Sequence, residues 1–310
     1  MPSADRSAIV LGADGFIGRH LVAYWRAHDW PVHPVGRATG DFTDPAVAAA
    51  ALRDAPPAGR ILHAITKQRT GAIQYDMQGE LLADNARIHL NVLAAWRQHQ
   101  PQAKLISLGS SCVYPESDRP VPETAFRTGP PHPSVRGYAL AKEILATGCE
   151  TYGAQYGLRW LHCILATVYG PQAHSEPHRS HFMAALIARG AAGQRAGAAG
   201  FEVWGSLDAV RDLLYVSDQI EAVLAADAAF DNTILNCTAN APVTIGDCAR
   251  AVLAALDWRV PIVNPLHSFR GARYKSLDSS RFLAATGWRP RVGLEEGVAR
   301  VLAADLAAAK

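Results

Sequence analysis

The chain has 310 residues, of which 49% are hydrophobic and 19% are charged, and its formal net charge at pH 7 is +2. A charge this close to balance provides no electrostatic footprint for nucleic acid, and no run of about 18 apolar residues indicates a membrane span. Five scattered cysteines without a CxxC pair argue against a disulfide framework and a zinc ribbon. We therefore expect a soluble cytoplasmic protein without a leader, made of one large domain and a smaller one.

Short apolar runs alternate with longer amphipathic segments through the first half of the chain. Strands are predicted at Ala8–Gly12, Val32–Val35, Arg60–Ile65, Lys104–Leu108 and Arg159–Leu165. Helices are predicted between them, at Phe16–His28, Pro45–Asp54, Gly79–His99 and Tyr138–Tyr156. This alternation implies parallel strands joined by right-handed crossovers. The fold class is therefore α/β, with a Rossmann-type doubly wound parallel sheet and a smaller C-terminal α/β substrate domain.

The composition changes after residue 168, and we expect the domain boundary there. Residues 1–168 form the predicted dinucleotide-binding domain, with a segment near 212–238 returning to it, and residues 169–310 form mainly the second domain. The small-residue segment Ala188–Gly200 is predicted to be a flexible surface loop. Further along, Thr244 precedes the apolar pattern of "IGDCARAVLAAL" and is a predicted helix N-cap.

The stretch "GADGFIG" places Gly12, Gly15 and Gly18 between the first strand and the first helix. Glycines in this context allow a tight turn and a close approach of the backbone to a pyrophosphate. The N–H groups of the helix N-terminus, which begins with Phe16 and Ile17, would then bind the phosphates. The pattern predicts a dinucleotide site.

The end of the second strand decides which dinucleotide is expected. Proteins that prefer NAD usually carry an acidic residue there for the ribose 2′-hydroxyl, whereas this sequence has Gly36 and Arg37. A guanidinium matches the 2′-phosphate of NADP in charge and geometry. We predict NADP(H), with the alternative that Arg37 is only a solvated charge and that Asp41 takes the hydroxyl of NAD.

"YALAK" places Tyr138 and Lys142 four residues apart, on one face of a predicted helix. A tyrosine needs a nearby cation to act as an acid or base near neutral pH, and Lys142 can supply that charge. Ser110, at the end of the fourth predicted strand, could polarise a carbonyl together with Tyr138. A Tyr/Lys pair on a helix is by itself more often structural.

The stretches GADGFIG, SSCVYP, YALAK, VYGP and RDLLYVSD follow one another as in the extended short-chain dehydrogenase/reductases that act on nucleotide sugars. Nearly the whole chain resembles this family. Within it, "GSSCVYP", "RSHFMAALIAR", "EVWGS", "VRDLLYV" and "YKSLDSSRFLAATGW" resemble the GDP-L-fucose synthase family. Those enzymes epimerise a 4-keto-6-deoxy sugar nucleotide at C3 and C5 and reduce C4 with NADPH. The resemblance implies a homodimer that binds a nucleotide-diphosphate sugar and neither nucleic acid nor membrane.

The resemblance also assigns roles to residues. It implies a reductase triad of Ser110, Tyr138 and Lys142, and an epimerisation acid/base pair of Cys112 and His181. Tyr138, Lys142 and His181 would also contact the cofactor, as would the residues Gly12, Gly15, Phe16, Ile17, Gly18, Arg37 and Lys67. The implied substrate-binding residues are Ser111, Cys112, Arg189, Trp204, Arg211 and Lys275.

Other matched positions are Asn85 and Asn91, of which Asn91 is the better candidate for a structural role. Two departures from the family pattern concern the substrate side. Thr167 stands where the family usually has asparagine, and "GSLDAVRD" replaces its glycine-rich approach to the arginine. These changes could alter the preference for sugar or nucleotide.

The strand end "SSCVYP" would serve two reactions. A C4 ketone acidifies the C–H bonds at C3 and C5, and inversion at those carbons needs acid/base groups on both faces of the sugar. A thiol and an imidazole can both be tuned to proton transfer near pH 7. Without the resemblance, Cys112 would be interpreted as an apolar filler.

Three interpretations stay open at this point. The first is an epimerase/reductase, the second a C4 ketoreductase that acts on a 6-deoxyheptose or another sugar, and the third a non-catalytic NADP-sensing protein. The histidines of "HSEPHRSH", including His181, could suggest a metal site. No convincing set of further ligands accompanies them, so we expect no metal.

Overall fold

The predicted alternation of strands and helices is present in a computed structural model, which describes residues 6–69, 73–173, 182–264 and 272–308. The strands of the first half are β1 (Ala8–Leu11), β2 (Val32–Val35), β3 (Arg60–His63), β4 (Lys104–Ser110) and β5 (Trp160–Leu165). The helices among them are α1 (Phe16–Ala27), α2 (Pro45–Arg53), α3 (Ile73–Asp76), α4 (Gln78–His99) and α5 (Arg136–Tyr156).

These strands form one sheet in the order β2-β1-β3-β4-β5, and β9 (Thr233–Cys237) joins its far edge. Every pairing in the sheet is parallel, so the carboxyl ends of all six strands lie at one edge. The strand order reverses between β1 and β3, and such a switch point leaves a ligand-binding crevice outside the carboxyl ends. The prediction of a Rossmann-type doubly wound sheet is confirmed.

The rest of the chain builds two smaller sheets and their helices. Its elements are β6 (Thr167–Tyr169), α6 (Phe182–Arg195), β7 (Phe201–Glu202), β8 (Val210–Tyr215), α7 (Val216–Ala229), β10 (Pro242–Thr244), α8 (Ile245–Ala255), β11 (Ile262–Val263), β12 (Tyr274–Lys275), α9 (Ser280–Thr286) and α10 (Leu294–Ala308). β8 is central to the larger of these sheets and pairs with β6, β10 and β12. The chain returns to the first sheet through α7 and β9, while a domain boundary at residue 168 stays a prediction.

Apolar side chains cover both faces of the main sheet. α1 turns Leu21, Val22 and Trp25 inward at the three- and four-residue spacing of one helix face, and Trp25 is fully buried. On the opposite face, α4 buries Trp96 completely. Among the described residues, no helix combines the length and the apolar character needed to cross a membrane.

Two local predictions for the second half have different outcomes. Thr244 caps α8 through a capping box with Asp247, as its position indicated. The prediction of a flexible loop at Ala188–Gly200 is wrong, because α6 continues to Arg195. Gly190 is buried in that helix, and a Cβ atom there would lie 2.6 Å from the side chain of Val252 on α8. The small residues therefore allow α6 to pack closely against α8.

A row of buried polar side chains crosses the middle of the main sheet. His63 on β3, Ser107 on β4 and His162 on β5 are partners in register, and their exposures are at most 1%. The Nδ1 atom of His89 on α4 lies 2.9 Å from the Nε2 atom of His63, and Ser107 Oγ lies 2.7 Å from His162 Nδ1. Burial, and secondarily the positive charge of Lys142, lower the pKa of His63 and His162 to about 3. These imidazoles are therefore neutral near pH 7.

Candidate active site

The glycine loop joins the end of β1 to the start of α1 at the switch point of the sheet. Gly12 has a φ of +89°, in the left-handed region that glycine adopts without strain. A Cβ atom on Gly18 would lie 2.0 Å from the carbonyl oxygen of Gly12, so only glycine permits this contact between helix and loop. The geometry matches the roles of the first and third glycines in a dinucleotide loop.

The N-terminus of α1 is open toward the crevice. Its N-cap is Gly15, which provides no side-chain cap, so the first-turn N–H groups keep their capacity to donate to a phosphate. Phe16 and Ile17 begin this turn. The residues present therefore fit a bound pyrophosphate.

The end of β2 lies beside the glycine loop. Arg37 is exposed and follows Gly36 at the end of β2, and its backbone N–H donates to Asp14 Oδ2 at 2.6 Å. Asp41, the alternative contact for a ribose hydroxyl, accepts from the Thr43 N–H at 3.0 Å and lies 3.6 Å from Lys67 Nζ. Asp14 was not predicted as a site residue, and its only signal in the sequence is its position inside the glycine motif.

Lys67 lies in the loop after β3, and the two matched asparagines, Asn85 and Asn91, lie on α4. Lys67 Nζ lies 3.0 Å from Asp84 Oδ2, and its backbone N–H donates to Asn85 Oδ1 at 2.7 Å. Asn91 Nδ2 donates to the carbonyl oxygens of residues 42 and 43 at 3.0 Å each. Both asparagines thus hold backbone loops in place, one after β3 and the other before α2.

Ser110, Tyr138 and Lys142 come together at the carboxyl end of β4. Ser110 is the last residue of that strand, and the side chains of Ser110 and Thr66 interact with the Tyr138 phenol in the sense that lowers its pKa. Lys142 lies one turn further along α5, with Nζ 5.8 Å from the centroid of the Tyr138 ring. Its ammonium donates to the Leu108 carbonyl at 2.9 Å. Strand β4 therefore orients both members of the helix pair.

Burial changes the ionisation of both helix residues. It raises the pKa of the Tyr138 phenol, and the nearby Cys112 sulfur raises it further, while the hydrogen bonds from Thr66 and Ser110 oppose the rise. Burial lowers the pKa of Lys142 to about 8. At neutral pH the phenol is protonated, which is the form that can donate a proton to a developing alkoxide.

Cys112 lies in the single 3-10 turn Ser111–Val113 that follows β4. Its N–H donates to Ser110 Oγ at 3.3 Å, and its sulfur lies 3.4 Å from Lys275 Nζ. It is half-buried, whereas the other four cysteines are buried. Its partial exposure and the adjacent ammonium distinguish Cys112 from the other four cysteines.

Two cations on neighbouring strands face Cys112. Arg211 on β8 and Lys275 on β12 are partners in register, and burial lowers the pKa of Arg211 while the sulfurs of Cys112 and Cys248 oppose that shift. Arg211 Nη1 donates to the Val210 carbonyl at 2.7 Å. Paired cations of this kind are suited to the phosphates of a nucleotide.

A pocket opens between these strands and the turn after β4. Ser111, Cys112 and Lys275 line it, together with His132 and Tyr274. His132 and Tyr274 were not predicted as site residues. The signal for His132 was its place six residues before Tyr138 in "HPSVRGY", and the signal for Tyr274 was its place beside Lys275 in "YKSLDSSRFLAATGW".

Arg189 and Trp204 form a separate pair. The Arg189 guanidinium carbon lies 3.8 Å from the centroid of the Trp204 ring, and Trp204 is 56% exposed. The indole N–H donates to Glu202 at 2.5 Å. Within the described part of the chain, no hydrogen bond or ion pair joins this pair to the Cys112 group, so a shared substrate site stays a proposal.

His181 lies outside the described residues, as do the other histidines of "HSEPHRSH". Its predicted roles toward the cofactor and in epimerisation remain predictions. In the described ranges, no group of three or more His, Cys, Asp or Glu side chains is arranged to hold a metal ion.

Comparisons with known proteins agree with this architecture. The model of the NAD dependent epimerase/dehydratase family matches residues 8–237. Probable GDP-L-fucose synthase 1 of Oryza sativa subsp. japonica is 32% identical over 221 residues, which are 71% of this chain and 67% of that protein. GDP-L-fucose synthase of Sinorhizobium fredii is 28% identical over 294 residues, covering 94% and 92% of the two chains.

Solved structures show the same fold over the full length. A GDP-6-OMe-4-keto-L-xylo-heptose reductase from C. jejuni has a TM-score of 0.89 at 18% identity, with 99% of each chain covered. At this identity the likeness concerns the fold alone. The match of the family model over residues 8–237, on a sheet with a glycine loop at its switch point, establishes that the chain belongs to the NAD dependent epimerase/dehydratase family.

Proposed function

We propose that this protein is an NADPH-dependent epimerase and reductase that acts on a nucleotide-linked 4-keto-6-deoxy sugar. The observation that carries the proposal is the 3.4 Å contact between Lys275 Nζ and Cys112 Sγ, two residues beyond Ser110. Around the end of β4 the fold thus brings together a hydroxyl and a phenol for a ketone, and a thiol with a cation for the adjacent carbon. Several relatives are named GDP-L-fucose synthase, which supports the same reaction class.

The glycine loop and α1 would hold the cofactor, which supplies hydride when bound. The first-turn N–H groups of α1 would bind its pyrophosphate, and the Arg37 guanidinium would bind a 2′-phosphate. A solved GDP-L-fucose synthetase from Naegleria fowleri is described as bound to NADP, which supports NADP(H) here.

Reduction depends on the polar groups at the end of β4. Ser110 and Tyr138 would donate hydrogen bonds to the C4 oxygen and increase the positive character of the carbon. As negative charge develops on that oxygen, the Tyr138 phenol passes it a proton. Lys142, held by the Leu108 carbonyl, provides the positive charge that stabilises the tyrosinate left behind.

Epimerisation would use Cys112 as one of two acid/base groups. The C4 ketone stabilises the enolate that forms when a proton leaves C3 or C5, and Cys112 exchanges that proton on one face of the sugar. We assign the opposite face to His181, from the resemblance alone. Arg211 and Lys275 would bind the nucleotide diphosphate, and Arg189 with Trp204 would contact another part of the substrate.

Solvent deuterium tests the two half-reactions separately. The protein is incubated in deuterated water with NADPH and a panel of nucleotide-linked 4-keto-6-deoxy sugars, and the product is analysed for label and stereochemistry. We expect label at C3 and C5 and inversion of both carbons. Reduction without label would show a plain C4 ketoreductase, and a panel without any NADPH oxidation would contradict the proposal altogether.

Cys112→Ser is the matched variant for this experiment. A serine hydroxyl is much less acidic than a thiol, so labelling should collapse while C4 reduction through Ser110, Tyr138 and Lys142 persists. Cys248→Ser is a control, because Cys248 is buried in α8 and carries no proposed role. Equal labelling by wild type and Cys112→Ser would remove the cysteine from the mechanism.

We further propose a homodimer in which α4 and α5 pair with the same helices of a second copy. These helices carry two of the exposed large apolar side chains, Leu90 on α4 and Tyr156 on α5, at 49% and 38% exposure. Sedimentation equilibrium should give twice the chain mass, and Leu90→Glu should shift the mass toward that of one chain. A wild-type protein that sediments as a monomer would refute this pairing.

We also place the protein in the cytoplasm, where it would bind neither nucleic acid nor membrane. All five cysteines are free thiols, as expected in a reducing compartment, and the net charge is only +2. Recovery of the protein in a membrane pellet or an extracellular fraction would contradict this assignment.

A further inference from the structure

The carboxylate of Asp14 reaches from the glycine loop to the end of β2. Its Oδ2 accepts a hydrogen bond from the Arg37 N–H at 2.6 Å. A Cβ atom on Gly36 would lie 2.2 Å from the same oxygen, so the glycine leaves the space that the carboxylate occupies. Asp14 is therefore fixed against the backbone of residues 36 and 37.

The end of the second strand is a contact point for the cofactor in doubly wound sheets. The adenosine ribose of a bound dinucleotide lies at the end of the second strand, and an acidic residue there accepts a hydrogen bond from the 2′-hydroxyl. Asp41, which follows β2 in sequence, is engaged instead with Thr43 and Lys67. The carboxylate that the fold brings to the end of β2 is that of Asp14, which comes before the strand in sequence.

The guanidinium of Arg37 is not paired with the carboxylate of Asp14. No hydrogen bond or ion pair joins the Arg37 guanidinium to any side chain of the described residues, and Arg37 and Asp14 are both exposed. The ribose end of the crevice thus carries one group suited to a hydroxyl and one suited to a phosphate. A 2′-phosphate would gain the attraction of Arg37 and also meet the repulsion of Asp14.

We propose that Asp14 is a specificity-determining residue that lets this site bind NAD(H) as well as NADP(H). Its carboxylate accepts a hydrogen bond from the 2′-hydroxyl of NAD(H) and opposes the preference for NADP(H) that Arg37 confers. The proposal rests on the function proposed above, because it needs a dinucleotide in the crevice. It concerns only the choice between the two dinucleotides.

Isothermal titration calorimetry with NADP+ and NAD+ tests the proposal without any sugar substrate. Asp14→Asn removes the charge but keeps an oxygen that can accept the Arg37 N–H, so the loop should be retained. We expect the ratio of NADP+ to NAD+ affinity to rise by at least about tenfold, a change of about 1.4 kcal/mol. Asp54→Asn makes the same charge change beside Arg53 at the end of α2, and should leave the ratio unchanged.

Three results would overturn the proposal. The ratio could be the same in Asp14→Asn and wild type, or it could change in Asp41→Asn instead, which would make Asp41 the ribose contact. A wild-type preference for NADP+ above about a thousandfold would also contradict it, and this measurement needs no variant to fold. If NADPH-dependent sugar reduction persists in these cases, only the role of Asp14 is wrong. If wild type binds neither dinucleotide, the proposed function fails as well.

Discussion

Replacing Lys275 by methionine is expected to slow proton exchange at the sugar carbons more than reduction of the ketone. The Lys275 ammonium lies 3.4 Å from the Cys112 sulfur, where it stabilises the negative charge that forms as the thiol gives up its proton. Methionine keeps most of the length and the unbranched stem of the side chain and removes the ammonium group. Reduction uses Ser110, Tyr138 and Lys142, so it should be affected less.

The distance sets the expected size of the effect. Two unit charges 3.4 Å apart attract by about 1 kcal/mol in bulk water and by about 5 kcal/mol at an effective dielectric constant of about 20. Lys275 is half-buried, and Arg211 stays nearby as a second cation. We therefore expect a loss of about 1.4 to 2.8 kcal/mol, which slows exchange about tenfold to a hundredfold.

The assay follows both half-reactions in one sample. Deuterium at C3 and C5 is measured by NMR, and NADPH oxidation by absorbance, with wild type, Lys275→Met and the charge-retaining Lys275→Arg. Exchange should fall in Lys275→Met and be largely kept in Lys275→Arg. A parallel fall of exchange and reduction in Lys275→Met would refute the reasoning, because it would mean that Lys275 acts only through substrate binding.

Three further predictions concern reduction and the cofactor loop. Tyr138→Phe should lower single-turnover reduction by about two to four orders of magnitude and leave dinucleotide binding intact by calorimetry; near-normal turnover would mean that another group protonates the C4 oxygen. Because burial lowers the pKa of Lys142 to about 8, kcat/KM for reduction should fall as the pH rises through that value and the ammonium is lost; a profile that stays flat to about pH 10 would exclude this role. Gly18→Ala should abolish dinucleotide binding and cost at least about 1 to 3 kcal/mol of stability in urea unfolding, since its Cβ would lie 2.0 Å from the Gly12 carbonyl; unchanged binding would contradict the glycine-loop assignment.

The elements of the first half were predictable because their signals are local. The apolar run of β1 ends at a glycine, and the Leu21, Val22 and Trp25 spacing of α1 repeats the period of a helix face. The same reasoning placed Tyr138 and Lys142 on one face of α5, since residues four apart on a helix are neighbours. Each of these elements could be predicted from a short stretch of sequence alone.

Contacts between distant parts of the chain could not be predicted in this way. Cys112 and Lys275 are separated by 163 positions, and no periodicity relates a turn after β4 to a two-residue strand in the second half. Asp14 was missed because an acidic residue is expected after β2, whereas Asp14 lies in the loop between β1 and α1. α6 was mistaken for a loop because small residues indicate flexibility, yet they also permit close helix packing.

The buried imidazoles of the main sheet make the folded state sensitive to acid. Burial lowers the pKa of His63 and His162 to about 3 and also lowers that of His89, whereas in the unfolded chain each titrates near about 6.5. Between these values the unfolded chain binds protons that the folded chain does not. Above about pH 6.5 these histidines are neutral in both states and do not change the free energy of unfolding. As the pH falls below that value, the free energy of unfolding decreases by up to about 1.4 kcal/mol per pH unit for each histidine.

His63 and His162 together give a slope of up to about 2.8 kcal/mol per pH unit near pH 5, a sizeable fraction of the stability of an ordinary domain, and His89 acts in the same direction. Urea unfolding measured between pH 7 and pH 4 would reveal this dependence, and His162→Gln should reduce it. The buried imidazoles near Lys142, which are neutral at pH 7, therefore make the stability of the enzyme depend on the pH of its surroundings. Brief exposure to a mildly acidic solution should therefore lower its activity by destabilising the folded sheet.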